Sequence, residues 1–478
     1  MENRDLTLLT DLYELTMMNG YIKENKQDEV VIFDVFFRQN ELITYSLAAG
    51  LEQAIDYILG FRFSEEDLSY LKSLKIFDDE FISYLSTLKF TGDVYSVPEG
   101  TMVFPGEPIL TIKAPICEAQ LIETAILNII NHQTLIASKA AKICHSASGD
   151  NVMEFGLRRA QGPDAGIYGS RASIIGGCNS TSNVLAGKMF DIPVAGTHAH
   201  SWVMSFPTEY DAFKAYADTY PNATLLLVDT YDTLKSGIPN AIKVFDELKA
   251  KGKKPLGIRI DSGDLAYLTK KARKMLDEAG YPDAIICASG DLDEKLIQSL
   301  KLQGAKINSW GIGTKLITSA DMPALGGVYK LAGVVEKDGT ITPKIKISET
   351  SAKITNPGFK KIVRIYDGES LKAEADLIML FDEEIDTSKP LTITHPIETW
   401  KKMTFTNYKI KELTTKIVEN GKLIYKFPKV KEIAKFAKSE IESFWDEYTR
   451  LDRPHIYKVD LSDKLLNLKT EMLSTIRK

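Results

Sequence analysis

Two histidines lie two residues apart in the segment Gly196-Thr197-His198-Ala199-His200-Ser201, between two apolar runs. Near neutral pH an imidazole can bind a metal, move a proton or accept a phosphoryl group. A His-x-His pair at a strand end is typical of zinc sites, but these take further ligands from later strands, and no histidine lies between His200 and His395. The pair is therefore predicted to be an acid/base or phosphoryl-accepting pair, with a purely structural role as the alternative.

Other polar residues with chemical potential occur downstream. Asp261 and Asp264 flank Ser262-Gly263, and carboxylates beside a phosphate site commonly hold Mg²⁺ or ribose hydroxyls. Glycine-bearing turns can cradle phosphate with backbone N–H groups, and two are present, at 289–291 and 311–315. No clear helix is predicted directly after the second turn. Guanidinium groups that pair with carboxylate or phosphate are supplied by Arg158, Arg159 and Arg171. Together these residues predict a pocket for an anionic, phosphate-bearing, ribose-containing substrate.

The elements that would position these residues alternate along the middle third of the chain. Short apolar runs predict buried strands at 152–155, 225–228, 256–260, 284–288 and 307–312. Helix-like stretches lie between them at 208–220, 237–251, 264–279 and 291–303, the last two starting with an aspartate suited to N-capping. This order predicts a parallel sheet, either a barrel or an open doubly wound sheet. In both, the working residues collect at the carboxyl ends of the strands, where these polar residues lie.

The flanking regions predict further domains. Residues 30–120 have a mixed α/β pattern, and the alternating run after residue 330 predicts strands. We expect an N-terminal α/β lobe over 1–130, completed by about 331–394, and a domain carrying the parallel sheet and active site over 131–330. A C-terminal helical extension is expected over 395–478, where 428–448 has the spacing of one amphipathic helix.

The composition is that of an ordinary globular protein, with 478 residues, 44% hydrophobic and 26% charged. No apolar stretch approaches the roughly 18 residues that span a bilayer, and the first residues lack a secretion-signal layout, so we expect a cytoplasmic protein without membrane contact.

Four widely spaced cysteines argue against a zinc ribbon, an iron–sulfur cluster and a disulfide framework. From residue 395 onward 18 Lys and Arg face 12 Asp and Glu, but the charges are interleaved, which favours a solvated surface over nucleic-acid binding.

Four segments of the chain resemble, in the same order, the signature blocks of the nicotinate phosphoribosyltransferase family. The resemblance spans roughly residues 5 to 450, and its blocks are Thr10-Asp11-Leu12-Tyr13-Glu14-Leu15-Thr16-Met17, Glu154-Phe155-Gly156-Leu157-Arg158-Arg159-Ala160-Gln161-Gly162-Pro163-Asp164, Gly196-Thr197-His198-Ala199-His200-Ser201 and Arg259-Ile260-Asp261-Ser262-Gly263-Asp264.

The resemblance implies a type II phosphoribosyltransferase fold. This fold is an irregular parallel α/β barrel joined to the N-terminal α/β lobe, in a homodimer whose active sites are shared between subunits. The implied reaction joins nicotinate to phosphoribosyl pyrophosphate, giving nicotinate mononucleotide and pyrophosphate, with ATP as co-substrate hydrolysed to ADP and phosphate. It is the first step of NAD synthesis from nicotinate, the Preiss–Handler salvage route.

The resemblance also assigns residues of the nicotinate subsite. Tyr13 of the partner subunit and Phe155 match the aromatic pair that sandwiches the pyridine ring. Arg259 matches the arginine near the ring's carboxylate, and Arg158 is expected near the pyrophosphate or the base. Ser182 lies about where the related nicotinamide enzyme has an aspartate; since an aspartate would repel a carboxylate, the acid is the expected substrate.

The remaining implied roles concern phosphate and the histidine. His200 matches the phosphorylated histidine, and His198 is expected to be its neighbour because that position often differs in the family. Asp261, expected to be catalytic, and Asp291 are implied to bind ribose or Mg²⁺, with Mg²⁺ held mainly by the substrate's pyrophosphate. Gly290, Gly313 and Thr314 are implied to bind the 5′-phosphate, and Arg171 is expected to be a further substrate contact.

Two other functions fit parts of the sequence. The same fold could act on nicotinamide, which Ser182 disfavours, or on quinolinate. A non-catalytic binding or regulatory protein could keep the barrel, but it would have no need for both aspartates and the histidine.

Overall fold

A computed structural model describes residues 5–39, 45–350, 353–395, 398 and 400–476, and the chain forms two compact units. The first unit contains the chain up to Leu135, Ala324–Pro428 and the chain from Lys435 onward. The second contains Ile136–Pro323 and Lys429–Ala434. None of the helices in the described ranges is both long and apolar enough to cross a membrane.

The first unit contains a seven-stranded antiparallel sheet. One of its inner strands, Val30–Phe37, is buried along most of its length and accordingly apolar except for Asp34. The Asp34 carboxylate is paired with Lys360 at 2.8 Å and accepts a hydrogen bond from Thr111 at 2.7 Å. The sheet order is Ile341–Pro343, Gly327–Val335, Val30–Phe37, Leu110–Pro115, Asp93–Ser96, Thr415–Glu419 and Lys422–Leu423. Ser46–Leu47 pairs separately with Met102–Val103, and the helices are Leu12–Lys23, Leu51–Gly60, Glu65–Ser73, Asp79–Thr87 and Ile116–Leu121.

A second, six-stranded sheet of this unit carries Arg364 and Asp376, two members of a buried ion-pair network. The guanidinium of Arg364 is fully buried and lies 2.6 Å from a carboxylate oxygen of Asp376 and 2.8 Å from one of Glu440. The sheet order is Lys402–Phe405, Leu391–Thr394, Lys458–Leu461, Ala373–Leu380, Lys360–Asp367 and Tyr408–Glu412.

The segment after residue 395 differs from the predicted helical extension. Its helices are Val430–Glu442, Asp446–Thr449 and Asp463–Ile476, but its described residues also form five strands that belong to the two sheets of the first unit. These strands are only two to five residues long, so the alternation of apolar and polar residues that several of them have is too short to predict a strand. The predicted helix over 428–448 is broken between Glu442 and Asp446.

The second unit is built on a six-stranded parallel sheet. Its order is Ser180–Thr181, Asn151–Glu154, Ser309–Ile312, Ile285–Ser289, Gly257–Ile260 and Leu225–Leu227, and a parallel bridge joins Thr181 to Val194 beyond the first of these. The predicted strands therefore form, with ends within two residues of the expected ones. The accompanying helices are the end of Glu123–Ala147, Pro163–Ile175, Val184–Phe190, His200–Met204, Glu209–Thr219, Ile238–Ala250, Leu265–Glu278, Glu294–Leu302 and Thr314–Ile317, with single turns at Leu157–Arg159 and Thr233–Gly237.

Alternation along the strands separates the core from the site. Ile258 and Ile260 pack in the cluster shared with the helices, together with Leu226 and Val228. Because successive side chains of a strand point to opposite faces, Arg259 points to the other face. On that face Met153, Leu225 and Cys287 pack with Phe155.

Two helix starts differ from their predicted positions. Asp264 caps Leu265–Glu278 by accepting a hydrogen bond from Tyr267 N at 2.9 Å, as predicted. Asp291 does not start the next helix: it has φ 41°, after Gly290 with φ 95°, and Asp293 is the cap instead. Two consecutive left-handed residues delay the helix and leave Asp291 in the loop. The turn at 311–315 is followed directly by the short helix Thr314–Ile317, where none was predicted.

Candidate active site

Arg259 is the centre of a polar cluster at the carboxyl ends of the parallel strands. Its Nε donates to Ser289 Oγ at 2.7 Å, Nη1 to Thr197 Oγ1 at 2.8 Å and Nη2 to Asp261 Oδ1 at 2.8 Å. Ser289 Oγ also donates to the same Asp261 oxygen. Burial opposes the charge of Asp261, but the hydrogen bonds from Ser289 and Arg259 outweigh it and hold its pKa below the ordinary value. The site thus contains a fixed guanidinium beside an ionised carboxylate.

Phe155 supplies a flat apolar surface next to this cluster. Its backbone N donates to Ile312 O at 2.7 Å, which fixes the chain where it leaves the sheet. The Arg259 guanidinium carbon lies 5.6 Å from the Phe155 ring centre. The ring lies so close to Gly311 that a Cβ there would be 2.7 Å from two ring carbons. The absence of a side chain at 311 therefore lets the ring lie against the sheet.

Glu154, which was not singled out in the sequence, holds Phe155 and Ser182 in place. Its carboxylate is fully buried and accepts hydrogen bonds from Ser170 Oγ at 2.9 Å, from Thr181 Oγ1 at 2.6 Å and from Gly156 N. Its carbonyl accepts from Ser182 N at 2.9 Å. The available signal was an acidic residue inside an otherwise apolar strand, since a buried carboxylate requires several donors.

His200 lies at the start of the helix His200–Met204, with 40% of its side chain exposed. Its Nδ1 is 3.1 Å from Thr230 Oγ1, and its Nε2 is 3.9 Å from Asp229 Oδ1. The Asp229 side chain is only 2% exposed; its Oδ2 accepts from Asp261 N at 2.9 Å, while Oδ1 has no hydrogen-bond partner. Asp229 was not predicted as a site residue, although it is the polar residue that ends the apolar run at 225–228.

His198 has a different environment from His200. It is 7% exposed, and its Nε2 accepts a hydrogen bond from Leu227 N at 3.1 Å. Its Nδ1 lies 3.4 Å from Ala199 O. Burial lowers the pKa of His198 to about 4, so the ring is neutral at neutral pH. Of the two histidines, only His200 is open to a substrate.

The two predicted phosphate turns lie at neighbouring strand ends, because Ser289 is paired with Gly311 in the parallel ladder. Gly290 has φ 95°, and a Cβ there would be 2.3 Å from Asp261 O, so only glycine fits. Asp291 is exposed in this turn. Gly313 and Thr314 begin the single helical turn that follows the strand Ser309–Ile312. The two turns therefore follow neighbouring strands at the same edge of the sheet.

Four predicted residues lie outside this cluster. Arg158 and Arg159 are exposed on the turn Leu157–Arg159. Arg171 is 2% exposed and its guanidinium carbon is 5.8 Å from the Phe190 ring centre, so it packs within the protein instead of joining an open arginine cluster. Tyr13 belongs to the first unit, on the helix Leu12–Lys23, where 45% of it is exposed.

Comparisons with known proteins agree with these features. The nicotinate phosphoribosyltransferase N-terminal domain model matches residues 8–131, the family model 151–366 and the C-terminal domain model 359–469. A nicotinate phosphoribosyltransferase of Bacillus subtilis (strain 168) is 48% identical over 473 residues, covering 99% of this chain and 96% of that protein. The Homo sapiens nicotinate phosphoribosyltransferase is 32% identical over 518 residues, covering 96% and 95%.

Solved structures show the same fold. The crystal structure of human nicotinic acid phosphoribosyltransferase has a TM-score of 0.85 and 29% identity, and the match covers 97% of this chain and 100% of that chain. A nicotinate-nucleotide pyrophosphorylase from Pyrococcus furiosus, at 23% identity and a TM-score of 0.68, shares the fold. With its mixed α/β fold, its parallel sheet and matches along nearly its whole length, the chain belongs to the nicotinate phosphoribosyltransferase family of enzymes.

Proposed function

We propose that this enzyme joins nicotinate to phosphoribosyl pyrophosphate and couples the reaction to ATP hydrolysis through a phosphohistidine at His200. The observation that carries the nicotinate assignment is the pairing of Arg259 with the Phe155 ring. A guanidinium has five N–H donors, and three of those of Arg259 are used by Ser289, Thr197 and Asp261. One N–H remains on each terminal nitrogen, which suits a carboxylate of a ring stacked on Phe155.

Specificity for the acid over the amide is assigned to Ser182. Its backbone is held by the carbonyl of Glu154, at the end of the strand next to Phe155. A hydroxyl can donate to a carboxylate, whereas an aspartate there would favour an amide. We therefore expect nicotinate to be preferred over nicotinamide and over quinolinate, whose second carboxylate would need a further cation.

In the transfer step the ring nitrogen of nicotinate attacks C1 of the ribose. A C–N bond forms, the C–O bond to pyrophosphate breaks, and the bonding electrons leave with the pyrophosphate. The contacts with Arg259 and Ser289 keep Asp261 ionised, and we assign it the stabilisation of the positive charge that develops on the ribose. The turns containing Gly290, Asp291, Gly313 and Thr314 would hold the 5′-phosphate and ribose, with Arg158 near the pyrophosphate.

Mg²⁺ fits the carboxylates of this rim. Asp229 has a buried oxygen without a partner, and one oxygen of Asp261 is used by Arg259 and Ser289 while its side chain is one-third exposed. One or two carboxylates together with substrate phosphates are the usual ligands of Mg²⁺ in such sites. Among the described residues, no group of three or more His, Cys, Asp or Glu side chains is arranged to bind a metal alone. The ion would neutralise charge on the pyrophosphate.

In the ATP-coupled step, His200 attacks the γ-phosphorus of ATP. An N–P bond forms, the P–O bond to ADP breaks, and ADP leaves with the bonding electrons; water later hydrolyses the N–P bond to release phosphate. We assign the attack to Nδ1, because Nε2 faces the Asp229 carboxylate, whose charge would repel a phosphoryl group there. Asp229 stabilises the positive charge that the ring acquires.

The finer architecture is proposed to be an irregular barrel in a homodimer. The hydrogen bond from Leu227 N to the His198 side chain joins the last strand to the segment that follows Val194 at the other edge of the sheet. Large apolar side chains are exposed on both units: Leu9, Leu12, Tyr13 and Met17 on the first, and Leu157, Val184, Leu185 and Met189 on the second. Such patches favour subunit contact, which would bring Tyr13 of the partner subunit to the nicotinate site.

The test is mononucleotide formation with and without ATP, for the parent and for His200→Ala and Asp229→Asn. We expect turnover with nicotinate, stimulated by ATP, and stimulation lost in His200→Ala and reduced in Asp229→Asn with the nicotinate KM retained. ATP stimulation that survives in His200→Ala would refute the phosphohistidine. Preference for nicotinamide would refute the role of Ser182, and absence of pyrophosphate release under all conditions would favour a binding protein.

A further inference from the structure

At one edge of the strand Leu225–Leu227, a backbone N–H group donates to a side chain instead of to a neighbouring strand. On one side the strand is paired with Gly257–Ile260, and Val228 N donates to Arg259 O at 3.0 Å on that side. Because backbone groups of successive residues point to opposite sides of a strand, the N–H of Leu227 points to the other side. Leu227 is 1% exposed, so this N–H needs a partner within the protein. The partner is His198 Nε2, at 3.1 Å.

We propose that His198 is a positioning residue: its neutral ring, with the proton on Nδ1, takes the place of a backbone carbonyl at this edge and fixes the separation of His200 from Asp229. The inference rests on the proposed role of His200. It assigns the first histidine of the motif, His198, a task of its own, distinct from that of a phosphoryl acceptor.

The positions of the four residues carry this inference. His200 is two residues after His198, and Asp229 is two residues after Leu227. The hydrogen bond between Leu227 and His198 therefore joins the two segments two residues before His200 on one segment and two residues before Asp229 on the other. His200 lies 3.9 Å from Asp229 and 3.1 Å from Thr230, both on the segment that His198 holds.

The same segment also supports the nicotinate subsite. Thr197, directly before His198, accepts a hydrogen bond from Arg259 Nη1 at 2.8 Å. A shift of this segment would thus change both the His200 pair and one of the contacts that orient Arg259. If this segment shifts, Arg259 keeps two further partners, Ser289 and Asp261. The contacts of His200 with Asp229 and Thr230 are both made to the opposite segment. The separation of His200 from Asp229 therefore depends more on His198 than the orientation of Arg259 does.

The required tautomer follows from the contacts of the ring. Nε2 accepts a hydrogen bond, so it carries the lone pair, and the proton is on Nδ1, which faces Ala199 O at 3.4 Å. The ring is held by aromatic neighbours: its centre is 4.9 Å from that of Tyr216, in an edge-on arrangement, and 6.1 Å from that of Phe213. A protonated Nε2 would place one N–H against another, which the buried site does not accommodate.

Two amide variants separate the acceptor from the packing. In His198→Gln the side-chain oxygen reaches the position of Nε2, and in His198→Asn it reaches only that of Nδ1. We expect His198→Gln to retain most ATP-stimulated turnover, and His198→Asn to lose it by roughly tenfold to a hundredfold, the scale for a misplacement of about 1 Å. The nicotinate KM should change much less in both. Phe213→Leu is the control: it loosens the packing of the ring but leaves the acceptor, so it should keep the coupling even if thermal stability falls.

The tautomer is measured separately, by ¹⁵N NMR of histidine-labelled protein at neutral pH, with His198→Gln identifying the signal. We expect a neutral ring protonated at Nδ1 alone. A ring protonated at Nε2, or equal ATP stimulation in the Gln and Asn variants, would overturn the inference. Phosphorylation of the parent from labelled ATP distinguishes the two levels of failure: absence of label on His200 would refute the phosphohistidine, whereas normal labelling of His198→Asn would refute only the positioning role.

Discussion

A methyl group added at Gly311 is expected to disturb nicotinate binding by moving the Phe155 ring. A Cβ at this position would lie 2.7 Å from Cδ2 and Cε2 of Phe155 and 3.3 Å from Ser289 Cβ. Carbon atoms in contact are about 3.5–4.0 Å apart, so the ring must move by about 1 Å. The backbone cannot yield easily, since Gly311 is paired with Ser289 on one side and with Met153 on the other.

The expected size of the effect follows from that displacement. A misplacement of about 1 Å can reduce the rate of a positioned reaction about 100-fold, so kcat/KM for nicotinate in Gly311→Ala should fall by about 10- to 100-fold. The nicotinate KM should rise as well, because the moved ring stacks less well on the substrate. Overpacking should also destabilise the protein by about 1–3 kcal/mol, so turnover is assayed well below the unfolding midpoint.

Two comparisons identify the cause. Gly196→Ala adds the same methyl group on the same rim, where no heavy atom lies within 4 Å, and should leave the nicotinate KM unchanged. Phe155→Leu removes the ring, so adding Gly311→Ala to it should cause little further loss, because both changes act on one contact. An unchanged nicotinate KM in Gly311→Ala, or full additivity in the double variant, would refute Phe155 as the platform for the substrate ring.

Two further predictions concern stability. Asp264→Ala removes the acceptor for Tyr267 N at the start of the helix Leu265–Glu278, and should lower the free energy of unfolding by about 1 kcal/mol with the nicotinate KM retained; a large loss of turnover without loss of stability would instead place Asp264 in the site. Burial raises the pKa of Glu14 from 4.5 to about 7, so the folded state retains a proton that the unfolded state releases, and stability falls as pH rises through this window. Glu14→Gln should remove this loss of stability, which is about 3 kcal/mol from the pKa difference. The measurement is the urea concentration at the unfolding midpoint between pH 4.5 and 8. The same pH dependence of that midpoint in the parent and the variant would contradict the prediction.

The parallel sheet could be predicted because its signal is local. Each buried strand is a short apolar run ended by a polar residue, and this pattern places Arg259, Asp261 and the two glycine turns at one edge of the sheet. The strands after residue 395 could not be predicted in this way. Strands such as Tyr408–Glu412 owe their pairing to distant partners, here Lys360–Asp367, and the alternation in a strand of five residues is too short to identify it.

Residues that act through buried hydrogen bonds were the hardest to predict. Asp229 ends an apolar run as Asp261 does, but the roles of Glu154 and Asp229 depend on donors 16 to 32 residues away: Ser170 and Thr181 for Glu154, and Asp261 for Asp229. Asp291 shows the reverse case. Its type suits an N-cap, but the left-handed turn formed by Gly290 and Asp291 gives that task to Asp293.

The two histidines show why residue type and spacing do not by themselves assign a role. Residues i and i+2 of a strand face the same way, which made the pair similar in the sequence. Here the extended backbone ends at Ala199, with φ −102° and ψ 168°, and His200 begins a helix, so the alternation stops between them. His198 then turns inward, where a backbone N–H fixes its tautomer, and His200 remains open beside a carboxylate. The change from strand to helix within one residue therefore places one histidine in a buried structural hydrogen bond and leaves the other 40% exposed beside Asp229 and Thr230.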